Sequence, residues 1–156
     1  MAGMTPSEFL EGFAQEDYWE WEQSKGSLRA AFHAAISASH LADHYYRFHA
    51  RMNPHKVASF PTFNHFLEHL KTACPPFKVI RDMANAYKHL YTKASCDVAS
   101  GGSVHRVTAS GEIFDTEWSD ETGSRIVIRH RDGQLTDFGP AITQVNEMWW
   151  QLTMEE

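Results

Sequence analysis

The chain has 156 residues, 42% of them hydrophobic and 13% aromatic, and a formal charge of −6. That composition excludes intrinsic disorder and suffices for a single domain whose core needs neither disulfides nor a structural metal. The negative balance disfavours an electrostatic grip on nucleic acid by the whole surface and leaves any such role to a local basic patch, and no apolar run reaches the roughly 18 residues of a membrane span.

The first residues lack the basic stretch and apolar core of a secretory signal, so a soluble, cytoplasmic protein is expected, with no membrane partner. Cys74 and Cys96 belong to no C-x-x-C pair or ligand cluster, which in that compartment predicts free thiols. Residues 7–24 carry Phe9, Leu10, Phe13, Tyr18, Trp19 and Trp21 at helical spacing, read as one or two short helices broken near Gly12 and stopped at Gly26. Ser27 caps a long helix over 28–50, which Asn53-Pro54 closes. Thr62 caps a helix over 63–73 with Phe63, Phe66, Leu67 and Leu70 on its apolar stripe, and Pro76 opens the next, over 77–92.

Beyond this point the helical period is lost. Residues 94–103 are small and polar with Gly101-Gly102 and read as a flexible connection. A strand is expected within 104–118, a turn at 120–123, and a strand over 124–131 with Ile126 and Ile128 on one face and Val127 on the other. The Asp132-Gly133 turn then leads to a strand over 134–138, and Pro140 opens a last helix bearing Ile142, Val145, Met148, Trp149 and Leu152. The fold class is therefore α+β, mainly α: an antiparallel helical bundle over about 7–93, a β-meander of two or three strands over about 104–138, and a C-terminal helix over about 140–153, in one domain spanning 1–156.

Two polar stripes stand out. On the 77–92 helix, Phe77, Val79, Ile80, Met83, Ala84, Ala86, Tyr87, Leu90 and Tyr91 fill about half the wheel. Arg81, Asn85, Lys88 and His89 fall within about 100° of arc on the other half. Asparagine is a mediocre helix former, so Asn85 in mid-helix suggests a specific partner. On the 28–50 helix, apolar residues cover about 200° and leave a strip with His33, His40, Asp43 and His44. A helix so apolar belongs near the centre of a bundle, and if the strips face each other they form one polar site. Histidines at i and i+4, such as His40 and His44, can share a metal, with His89 or Asp82 as third ligand; His65 and His69 form a second pair, expected to meet solvent. No metal or other cofactor is favoured, because ten histidines produce accidental pairs.

The stretch from Cys74 to His89, containing R-D-x-A-N-A-x-K-H, and the upstream H-L-A-D at 40–43 resemble a group of small uncharacterised bacterial proteins, in which a helical bundle precedes strands with an aspartate-glycine turn and a tryptophan-bearing C-terminal helix. More distantly the helices resemble the HEPN superfamily, bundles that include metal-independent ribonucleases of toxin and defence systems. That resemblance implies a motif of arginine, four to six residues, and histidine, paired across a homodimer; here seven residues separate Arg81 from His89. It would make His89 the acid or base toward the ribose 2′-hydroxyl, Arg81 or Lys88 the phosphate holder and Asn85 the group that orients the imidazole.

The expected function is a non-catalytic binding or scaffold module in which Asp43, Asn85 and His40 form a structural polar network between two central helices. Its partner is another protein or a second copy, with Trp19, Trp21, Trp149 and Trp150 as contact residues if they are exposed. The alternatives are the HEPN-type ribonuclease acting on RNA through His89 and Arg81, and a metal-dependent helical-bundle enzyme.

Overall fold

The computed structural model describes residues 3–88, 96–100, 106–107, 126–130 and 132–155. Helical structure starts one residue earlier than the periodicity suggests, at α1 (Pro6–Phe9). Thr5 and Glu8 form a reciprocal capping box there: Thr5 Oγ1 accepts from the Glu8 N–H at 3.1 Å, and Glu8 Oε2 accepts from the Thr5 N–H at 2.8 Å. Gly12 does not break the helix. It lies in a π-helical turn (Leu10–Ala14) that carries the chain straight into α2 (Gln15–Gln23), the Gln15 N–H reaching back to the carbonyl of Leu10.

The local stop and start signals then act where the sequence puts them. Ser27 caps α3 (Leu28–Met52), accepting from the Ala30 N–H at 3.2 Å, and Asn53 ends it, two residues beyond the expected limit. After a 3₁₀ turn (Pro54–Val57), Thr62 caps α4 (Phe63–Ala73), and Pro76 stands first in α5 (Pro76–Lys88). The last helix, α6 (Phe138–Met154), starts two residues before Pro140, which sits in the first turn where its missing N–H has no intrahelical acceptor in any case.

The strands depart from a meander. Residues 96–100, expected in a flexible connection, form β1 (Cys96–Ser100), which lies inside a four-stranded sheet of order β2-β1-β3-β4, with β2 (Arg106–Val107), β3 (Ile126–His130) and β4 (Leu135–Asp137). All pairings are antiparallel, with Val98 opposite Ile128 and Ile128 opposite Thr136. The rest of the strand expected within 104–118, and the turn at 120–123, lie outside the described residues. The β3–β4 turn is as the sequence predicts: Gly133 has φ of 86°, a left-handed conformation that glycine adopts without steric cost, and Asp132 Oδ1 accepts from the Gln134 N–H at 2.9 Å. Ile126, Val127 and Ile128 are all buried, so β3 is covered on both faces at this end rather than on one.

Helix α3 is the axis of the molecule and packs against α2, α5 and α6. Its alanines 31, 34, 35, 38 and 42 are buried, and so small a face lets the neighbouring helices approach closely enough to bring Phe77, Ile80 and Met83 of α5 and Ile142, Val145 and Trp149 of α6 into one core. No described helix is long and apolar enough to cross a membrane.

Candidate functional site

The two polar stripes meet at one point. Arg81 of α5 lies between α3 and α4, with Nη1 at 4.0 Å from Asp43 Oδ2 and 3.5 Å from the buried Ser39 Oγ, and its guanidinium carbon 5.8 Å from the centre of the Phe63 ring. Its side chain is 22% exposed and that of Asp43 30%. Asp43 also meets Arg47 one helical turn on, at 3.9 Å, so one carboxylate stands between two guanidinium groups. Ser39 and Phe63, which complete this setting, are an inward-facing hydroxyl four residues before Asp43 and the first residue of α4. The spacing of Ser39 to Asp43 put both on one helix face, but the approach of Phe63 depends on how α4 docks.

Helical geometry separates the remaining stripe residues. Asp43 and His44 are about 100° apart on α3, so when Asp43 turns toward α5 its neighbour turns away. His44 Nε2 donates to the carbonyl of Met4 at 2.8 Å, and its ring lies 5.4 Å from Phe9. His40 is exposed and its ring lies 5.5 Å from the same phenyl group. Both imidazoles thus lie against Phe9 of α1, with the edge of His44 already engaged. His33, two turns toward the start of α3, meets α2 instead, next to Asp17 and Glu20. The stripe follows the N-terminal helices along its length and turns only Asp43 toward α5.

On α5, Asn85 is half-buried, while His89 and the side chain of Lys88 lie outside the described residues. Lys78 and Asp82 pair at 2.7 Å on the opposite edge of the polar face, beside a cavity of about 450 Å³ that His130, Asp132 and Thr136 of the β3–β4 hairpin complete. His130 Nε2 and Thr136 Oγ1 are hydrogen-bonded at 2.7 Å across the two strands. Nothing in the local sequence around His130 signals this cleft, because it arises from the docking of the hairpin against α5.

Three further histidines behave as their positions imply. His65 and His69 are exposed on α4, with His65 Nδ1 2.7 Å from Thr62 Oγ1. His49 is 1% exposed, its ring 4.4 Å from Tyr45, and belongs to the core; its place four residues after Tyr45 and seven after Ala42 was the signal. Of the four tryptophans offered as contact residues, only Trp19 is exposed. Trp21 and Trp149 are buried and Trp150 is half-buried, donating to Gln15 Oε1 at 2.8 Å, because these three indoles lie on the faces that α2 and α6 turn toward the bundle.

No family model, no curated protein and no solved structure matches the chain.

Proposed function

We propose that the protein is a non-catalytic binding or scaffold module in which Arg81, Asp43 and Ser39 set the register of α5 on α3. The observation that carries this reading is the engagement of Arg81. Its guanidinium faces a carboxylate, a hydroxyl and an aromatic ring at a three-helix junction, an arrangement that ties α5 to α3 and α4 and turns Nη1 toward the protein rather than toward a phosphate. Met4, Phe13, Trp19 and Met52 are exposed apolar side chains, and they are the contact residues this reading offers to a protein partner or a second copy.

The test is an RNA cleavage assay without metal and then with zinc or manganese, run on the parent protein, Arg81→Met and His89→Ala, each checked for folding. The reading expects no cleavage by any of them and a loss of stability in Arg81→Met. Cleavage by the parent that disappears in a folded His89→Ala protein would overturn it in favour of a HEPN-type ribonuclease.

A further inference from the structure

Asp17 and Glu20 of α2 and His33 of α3 each bring one potential ligand atom to a common point, all within 4.8 Å of one another. They come from two helices joined by a tight turn, and no other set of three metal-ligating side chains among the described residues is so close. Ligands around a single zinc ion, each about 2.0–2.2 Å from it, stand roughly 3–4 Å from one another, so small rotations of these side chains close the set. One carboxylate is already oriented: Ser37 Oγ, one turn after His33, donates to Asp17 Oδ2 and leaves Oδ1 for a cation. Neither Asp17 nor Glu20 forms an ion pair with a lysine or arginine among the described residues.

We propose that Asp17, Glu20 and His33 form a binding site for a divalent transition-metal ion, zinc being the probe of choice. One imidazole nitrogen and two carboxylate oxygens are a borderline-to-hard donor set that suits zinc or manganese better than magnesium, which takes oxygen ligands and retains its water. The site adjoins a cavity of about 310 Å³ lined by Glu16, Asp17, Trp19, Glu20 and Gln23, so a fourth position stays open to water or to an exogenous ligand. An ion held there ties α2 to α3.

The experiment is calorimetric titration of zinc chloride, and separately manganese chloride, into metal-stripped protein, comparing the parent with His33→Ala, Glu20→Gln and a His65→Ala/His69→Ala control. Glu20 is exposed, so its amide variant leaves the fold intact, and circular dichroism checks the others. The site predicts one zinc per chain, a rise in melting temperature on adding zinc, and affinity at least about tenfold weaker in both His33→Ala and Glu20→Gln. The control should match the parent. The proposal is overturned if the parent binds no zinc, if the two site variants bind within twofold of it, or if binding disappears with His65 and His69.

Discussion

The indole N–H of Trp149 donates to the main-chain carbonyl of Ala38, 2.9 Å away, with both residues fully buried. A carbonyl inside a helix keeps a second lone pair for such a donor, so the bond joins α6 to α3 without breaking either helix. The same ring lies 6.1 Å from those of Tyr45 and Phe77, which places one side chain against both α3 and α5. Trp149→Phe removes the donor and part of the volume and is expected to cost about 1–3 kcal/mol in urea-induced unfolding. A cost below about 0.5 kcal/mol would mean that the core repacks without it.

Arg81 and Asp43 are close but not in tight contact, and each retains some access to water. A double-mutant cycle of Arg81→Met and Asp43→Asn should therefore return a coupling of about 0.5–1 kcal/mol, well short of a buried bidentate pair. The coupling should shrink in high salt. A coupling of zero would remove the electrostatic part of the helix register and leave it to the packing of Phe77, Ile80 and Met83.

Tyr18 titrates above its ordinary value of 10.0, chiefly because burial disfavours the phenolate; its bond to Thr143 pulls the other way. A pKa raised in the folded state means that the folded protein holds the proton more tightly than the unfolded chain. Its contribution is complete below pH 10 and is lost as pH rises from there through the folded value. Tyr18→Phe loses hydrogen bonds to Glu22 at 2.9 Å and Thr143 at 3.0 Å, so it should be less stable at neutral pH yet decline less steeply above pH 10. Melting temperature followed from pH 7 to 11 distinguishes the two slopes; parallel curves would contradict this account.

Asn146 is 5% exposed, and both its amide nitrogen and its amide oxygen lack a hydrogen-bond partner among the described residues. Each unpaired buried group costs about 1–3 kcal/mol, so Asn146→Leu, close in size and without polar atoms, should raise stability by about 1–2 kcal/mol. Guanidinium denaturation would measure it. A loss of stability instead would show that the amide serves a buried water or ligand.

What could be read from the sequence divides by range. Ser27, Thr62 and Pro76 announced their helices because capping is satisfied within three or four residues, and Asp132-Gly133 announced its turn for the same reason. Residues 96–100 gave no such notice: Ala99 and Ser100 before two glycines have the texture of a linker, and only pairing with a strand some thirty positions later makes them β1. The stripe on α3 was legible as a stripe, but not that Phe9 would lie against His40 and His44 while Asp43 turned to Arg81, since that is decided by helices far away in the chain. The grouping of Asp17 and Glu20 with His33 was hidden for the same reason.

The π-turn at Leu10–Ala14 gives the first helical hairpin an unusual sensitivity to length. Deleting one residue there would yield a more regular helix, yet everything beyond it would swing by about 100° relative to α1. Gln15 would leave Trp150, Asp17 would leave Ser37, Tyr18 would leave Thr143 and Trp21 would leave Phe138, unless Phe9 and the capping box were displaced instead. Gly12 has open space around it and can be replaced by a larger residue, but it cannot be removed: the segment accepts changes of spelling and refuses changes of count.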